Sequence, residues 1–240
     1  MYKEGSYKAF SECVDSFANA CTTLRKKHSY SDHDARGAAL NACFAIARSS
    51  QMILNLLDSW AIGDEVIRQF IPQVLGLRTV TKEAVDYCGS TIDKTNKLAF
   101  VLLCQFQIEN LLTNISRELQ LQEDSRFYQL SKTIVDHCSL AKQAHDILYL
   151  PAAIRNSLHS NGIHKSLRSW GDKRVTLDGV EYRFKFDQPV SCASWAHIAH
   201  ALEHSIAVVS DILDAPEVKA INDPMFDHYT WHKVTEPASI

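Results

Sequence analysis

Glycine and proline are scarce, at eight and six residues in 240. Both interrupt helices, glycine through backbone entropy and proline through its missing N–H, so their rarity leaves room for long helices. No Cys-x-x-Cys pair occurs among the seven cysteines (Cys13, Cys21, Cys43, Cys88, Cys104, Cys138, Cys192). Their odd number and wide spacing argue against a disulfide framework and fit small, reduced, buried thiols of a cytosolic protein. There is no excess of positive charge either: 25 Lys and Arg stand against 28 Asp and Glu, a net charge of −3. Without a broad positive field, any nucleic-acid contact has to come from a local patch. The opening residues lack an uninterrupted apolar segment, which predicts no secretory signal. No stretch approaches the apolar length of a membrane span. The most apolar run, residues 98–112, is interrupted by Gln105, Gln107, Glu109 and Asn110. The expectation is a soluble, cytoplasmic protein with no membrane partner. The sequence also lacks G-x-x-x-x-G-K-[ST], G-x-G-x-x-G, G-x-S-x-G and H-E-x-x-H, so P-loop, dinucleotide, α/β-hydrolase and zincin chemistries have no support.

What is present is helical periodicity. Phe10, Val14, Phe17, Cys21 and Leu24 recur on one face, and the run ends in the basic cluster 25–28, which suits a helix C-terminus. Ser31 or Asp32 can cap a second helix carrying Leu40, Phe44, Ala47, Leu54 and Leu57 to about Trp60. A shorter helix is expected over residues 65–75. Thr81 and Glu83 open a segment whose continuation, 91–121, has neither Gly nor Pro and reads as a long core helix. Another helix is expected from Phe127 to about Leu148. Pro151 then breaks or kinks the chain, or starts a short helix, Pro151 to His159, ended by Asn161-Gly162. The strand signal is confined to residues 175–186. Asp178-Gly179 makes a two-residue turn there, with Val175, Leu177, Val180, Tyr182 and Phe184 on one side and Glu181, Arg183 and Lys185 on the other. An amphipathic helix from about Ser194 to Leu213 closes the pattern, and a Pro-punctuated tail follows.

The candidate chemistry lies in Ile154-Arg155-Asn156-Ser157-Leu158-His159, just before Asn161-Gly162. Arg155 and His159 are four apart, so on a helix they share one face. Arginine offers a planar fork of donors suited to a phosphate, and histidine can move a proton near neutral pH. The pair suffices for metal-independent RNA cleavage: Arg155 neutralises the phosphate, and His159 exchanges a proton with the attacking 2′-hydroxyl or the leaving oxygen. The order of elements from about Thr91 to Asp214 resembles the HEPN family. A long helix carries an acid, here Glu109. A second helix, a short helix with an Arg-Asn…His motif, a hairpin and a closing helix beginning near a Trp then follow. The motif departs in spacing, with three residues between Arg155 and His159 where the family usually has four to six. The resemblance implies a homodimer whose two motifs line one cleft, with Asn156 and Glu109 orienting the catalytic pair. It also implies a role as an endoribonuclease or toxin-like effector in prokaryotic defence, partnered by RNA or a nucleotide and by an antitoxin or another protein, with no cofactor. The alternative is a catalytically silent HEPN-like module that binds a nucleotide, RNA or a protein.

Two further constellations are weighed. Lys165, Arg168, Lys173 and Arg174, with Trp170 among them, are candidate RNA-binding residues, against the plainer reading of a solvated loop. His197, His200 and His204 form a stripe with Asp211 on the last helix. Such spacing can bind zinc or nickel, but a site normally needs a second element to close it, so a solvated polar face is the plainer expectation. His228 and His232 in the tail are the residues that could supply that element. The fold expected is an all-α helical bundle with one β-hairpin before the last helix. Residues 1–90 form an N-terminal helical layer on it, residues 91–215 the HEPN-like domain, and residues 216–240 the tail.

Overall fold

The computed structural model describes residues 6–31, 33–62, 73, 76, 81–121, 126–165, 171–222 and 224–225. Among these the chain is mainly α-helical, with one two-stranded antiparallel hairpin. Helix α1 is Ser6–His28 and α2 is Ala35–Ile62. Helix α3 is Lys82–Glu118, α4 is Phe127–His137 and α5 is Lys142–His159. Strands β1 (Lys173–Leu177) and β2 (Val180–Phe184) precede α6, Trp195–Asp214, and a one-turn α7, Pro216–Lys219. All of the helix expected over 65–75 except residue 73, together with Arg168, Trp170 and the tail histidines His228 and His232, lies outside the described residues.

Helix α3 runs 37 residues without interruption, as the absence of Gly and Pro from most of it allows. It starts where Thr81 accepts a hydrogen bond from the Ala84 amide at 3.2 Å, satisfying one of the orphan donors of the first turn. By length and composition alone, Asp86–Glu118 could cross a membrane, contrary to the reading that no stretch approaches that limit. Asp93, Asn96, Gln105 and Asn114 are nevertheless buried along it, and half of its most apolar window is covered by the rest of the chain. The same helix also crosses residue 90, where the sequence pattern divides an N-terminal layer from the rest.

Three boundaries differ from expectation. Helix α2 is capped by Asp34, whose carboxylate accepts from the Arg36 amide at 2.8 Å, and not by Ser31; Asp32 lies outside the described residues. The helix expected through 127–148 breaks at Ser139, which takes a left-handed φ of 53°. There the Ser139 amide bonds Asp136 (3.2 Å) and the Leu140 amide bonds Val135 (3.0 Å), the two closing bonds of a Schellman motif. The same pair of bonds ends α3 at Gln120, and at the end of α5 Asn161 is likewise left-handed while the Gly162 amide bonds the Ser157 carbonyl at 2.8 Å. Pro151, conversely, interrupts nothing and sits buried inside α5. Its ring removes the N–H that would bond the carbonyl of Ile147, and Ser205 Oγ from α6 donates to that carbonyl at 3.1 Å instead. The bond is supplied from another helix, so the proline is tolerated.

One continuous apolar core joins the helices. The rings of Phe17 in α1, Phe100 in α3 and Trp195 in α6 form a chain, with centroids 5.6 and 5.7 Å apart. Trp195 Nε1 donates to the buried Asp93 at 2.8 Å, fixing the start of α6 against α3. The hairpin has the anticipated register, Val175 opposite Tyr182 and Leu177 opposite Val180. Val175, Leu177, Tyr182 and Phe184 are buried, Val180 packs on the core, and Thr176, Glu181, Arg183 and Lys185 face water. The start of the C-terminal segment is also packed in. Met225 and Asp34 exchange bonds with the opening of α2: Met225 N to Asp34 Oδ2 at 2.9 Å, and Ala35 N to Met225 O at 2.8 Å.

Candidate functional site

Helix α5 carries the Arg-Asn…His motif in its last turns. Ile154 and Ser157 point into the core, so Arg155, Asn156 and His159 are left on the outer side. Asn156 Oδ1 accepts from both Arg155 Nε (3.1 Å) and a terminal guanidinium nitrogen (2.9 Å). Two bonds to one oxygen hold the fork in a single orientation and leave further donors free to meet a phosphate. His159, one helical turn on, is exposed at the helix end. Glu109 on α3 is half-buried, and burial pushes its carboxyl above the ordinary value, while the charge of Arg155 pulls it down. Glu109 thus feels the charge of Arg155 from the neighbouring helix, while the hydrogen bonds of the arginine side chain go to Asn156.

His164, the other histidine near the motif, is buried and plays a different part. Its Nε2 bonds the Gly171 carbonyl at 2.9 Å, its amide bonds Gln188, and its own carbonyl accepts from Asp187. It staples the connection between α5 and the hairpin. The candidate RNA-binding cations within the described residues are each paired with an acid: Lys165 with Asp187, Lys173 with Asp146 at 2.9 Å, and Arg174 with Glu181 across the hairpin. They present local charge that is already partly neutralised.

On the α6 stripe His197, His200 and His204 are half-buried, while Asp211 is exposed. Tyr182 from β2, fully buried, reaches over the histidines: its ring stacks on His200 and meets His197 edge-on. Burial holds both imidazoles below the ordinary histidine value. His197 turns back on its own helix start, with Nδ1 2.6 Å from the Ser194 hydroxyl. His200 and His204 instead approach each other, Nε2 to Nε2 at 3.2 Å, and His204 Nε2 lies 3.3 Å from Asp178 Oδ2. Asp178, read from the sequence only as a turn residue, is the member that sequence reasoning missed. The folding of the hairpin tip onto α6 brings it there, and no spacing along the chain announces that contact. Comparison with protein-family models, curated proteins and solved structures finds no match to the chain.

Proposed function

We propose that the protein is a HEPN-type endoribonuclease, acting as a toxin-like effector, with Arg155 and His159 as its metal-independent catalytic pair. The observation that carries this reading is the arginine held at two nitrogens by Asn156, one turn from an exposed histidine, with its charge felt by a half-buried Glu109. Arg155 binds the scissile phosphate, and its charge stabilises the negative charge that builds there. His159 transfers the proton, and Glu109 and Asn156 set the direction of the guanidinium. Leu102, Leu103 and Phe106 are exposed on α3 within two turns of Glu109, an apolar face for a second copy whose motif would complete the cleft.

A second reading, a catalytically silent module that binds RNA, a nucleotide or a protein, is favoured by one observation. Three residues between Arg155 and His159 fix the two side chains one turn apart on the same helix, without the longer reach usual in the family. Incubating the purified chain with total RNA in EDTA separates the two. The enzyme reading expects cleavage, with Arg155→Ala and His159→Ala each slowing it by about a hundred- to ten-thousand-fold and barely changing the melting temperature. Intact RNA with the unaltered chain, or full cleavage by His159→Ala, rules the enzyme reading out at this motif.

A further inference from the structure

We propose that Asp178, His200 and His204 form a binding site for a single divalent transition-metal ion of the zinc class, joining the hairpin to α6. The site is separate from the Arg155 motif and does not rest on any reading of it.

The geometry is that of a ligand set. The candidate ligand atoms of these three residues all lie within 4.8 Å of one another. Ligands about 2.0–2.1 Å from a tetrahedral zinc stand roughly 3.3 Å apart. The two contacts made by His204 Nε2, 3.2 Å to His200 Nε2 and 3.3 Å to Asp178 Oδ2, match that spacing. The donors come from two elements. His200 and His204 are one turn apart on α6, and Asp178 sits at the tip of the hairpin with a φ of 47°, followed by Gly179 at 82°. Positive φ at both central residues is the type I′ turn, whose shape fixes where the aspartate is presented.

The neighbouring shell prepares the first imidazole. The Tyr182 hydroxyl lies 2.9 Å from the His197 carbonyl and 2.8 Å from His200 Nδ1. A carbonyl only accepts, so the single hydroxyl proton goes to His197 and the tyrosine oxygen accepts from His200 Nδ1–H. The proton is thereby held on Nδ1, and the Nε2 lone pair faces His204 and Asp178. This is the tautomer a metal-ligating histidine needs, fixed by the kind of outer partner that usually fixes it. Two imidazoles and one carboxylate suit zinc, cobalt, nickel or copper and not magnesium or calcium, which prefer all-oxygen shells. The Asp178 side chain is 79% exposed, so the fourth position opens to water and the ion can exchange.

The test uses the full chain without a histidine tag, stripped with chelator and titrated with Zn²⁺ and with Co²⁺. One Zn²⁺ per chain is expected, raising the melting temperature. His200→Ala and His204→Ala are expected to weaken uptake at least a hundred-fold. Asp178→Asn, on an exposed turn that tolerates the change, weakens it less, and Tyr182→Phe weakens it by about ten- to a hundred-fold through the neighbouring shell. Bound Co²⁺ should give the visible bands of a four-coordinate ion, without the near-ultraviolet band of a thiolate ligand. His228→Ala/His232→Ala should bind as the unaltered chain does. No uptake, uptake unchanged in Asp178→Asn and in both histidine variants, or a thiolate band would overturn the assignment. Should a histidine variant fail to fold, Asp178→Asn and the Co²⁺ spectrum decide.

Discussion

Asp34 ties the start of α2 to the segment that follows α7. It is fully buried, and its two oxygens receive Arg36 Nε at 2.9 Å, a terminal Arg36 nitrogen at 2.6 Å and the amides of Arg36 and Met225. Arg36 in turn reaches the Val218 carbonyl at 3.4 Å and stacks over Tyr30, 4.1 Å from the ring centre. Burial would raise the carboxyl's pKa, but these hydrogen bonds and the guanidinium charge outweigh it and hold it below the ordinary value. A depressed folded pKa contributes stability that is complete above the unfolded value, about 3.9, and is lost as pH falls through the folded value. Asp34→Asn leaves Arg36 buried without its counter-charge, which typically costs about 3–5 kcal/mol. Urea midpoints measured at pH 7 and at successively lower pH check both points. The variant should be much weaker at pH 7, and its stability should fall less than that of the unaltered chain as pH drops through that range. Equal stability at pH 7 sinks the argument. The sequence shows Asp34 beside Arg36, but nothing in their order reveals that residues 218–225 return to bury them. Arg155, Asn156 and His159 were legible for the opposite reason, since one helix face holds all three.

Among elements, α5 shows why boundaries were harder to read than helices. The sequence pattern places helix where helix is found, because apolar spacing and the lack of Gly and Pro act locally. It misses the break within 127–148 because α4 ends with Ser139 in the left-handed region, where glycine is the usual signal. Pro151 misleads in the other direction. Its cost is an unbonded carbonyl at Ile147, and the group that satisfies it, Ser205, lies on α6. Ser205 Oγ also lies 2.9 Å from Ala201 O on its own helix, so its single proton is shared between the two carbonyls. Removing the hydroxyl leaves a buried acceptor without a donor, a loss of about 1–3 kcal/mol. Ser205→Ala should therefore destabilise the chain in chemical unfolding. Adding Pro151→Ala restores a backbone donor to Ile147 and should recover part of the loss. The double-mutant cycle should thus show a coupling of about 0.5–3 kcal/mol, beyond the error of additivity for distant sites. Strictly additive effects would mean that Ser205 does not stand in for the missing amide.

At the scale of the whole molecule, the question is whether residues 1–90 are a layer laid on a finished domain or part of one cooperative unit. The aromatic chain Phe17–Phe100–Trp195 runs from α1 through α3 to α6, and the Cys43 thiol of α2 approaches the Cys104 carbonyl of α3. At the far end of α1, Lys27 bonds Ser210 at 2.9 Å and pairs with Asp214 on α6. Helix α1 thus packs on α3 through Phe17 and on the last turns of α6 through Lys27, and a cut at residue 90 passes through α3. A fragment of residues 91–240 would expose Phe100 and several buried apolar side chains of α6 together. At about 1.5–3 kcal/mol for each large side chain, four or five of them amount to roughly the whole stability of a domain, about 5–15 kcal/mol. The fragment is therefore expected to lack a cooperative thermal transition and to show little fixed tertiary signal in the near ultraviolet. The full chain should unfold in one step, with far-ultraviolet dichroism and tryptophan fluorescence giving coincident urea curves. Trp60 in α2 and Trp195 in α6, both buried, report the two halves. Two separated transitions, or a cooperatively folded fragment of residues 91–240, would show that the core divides where α3 does not.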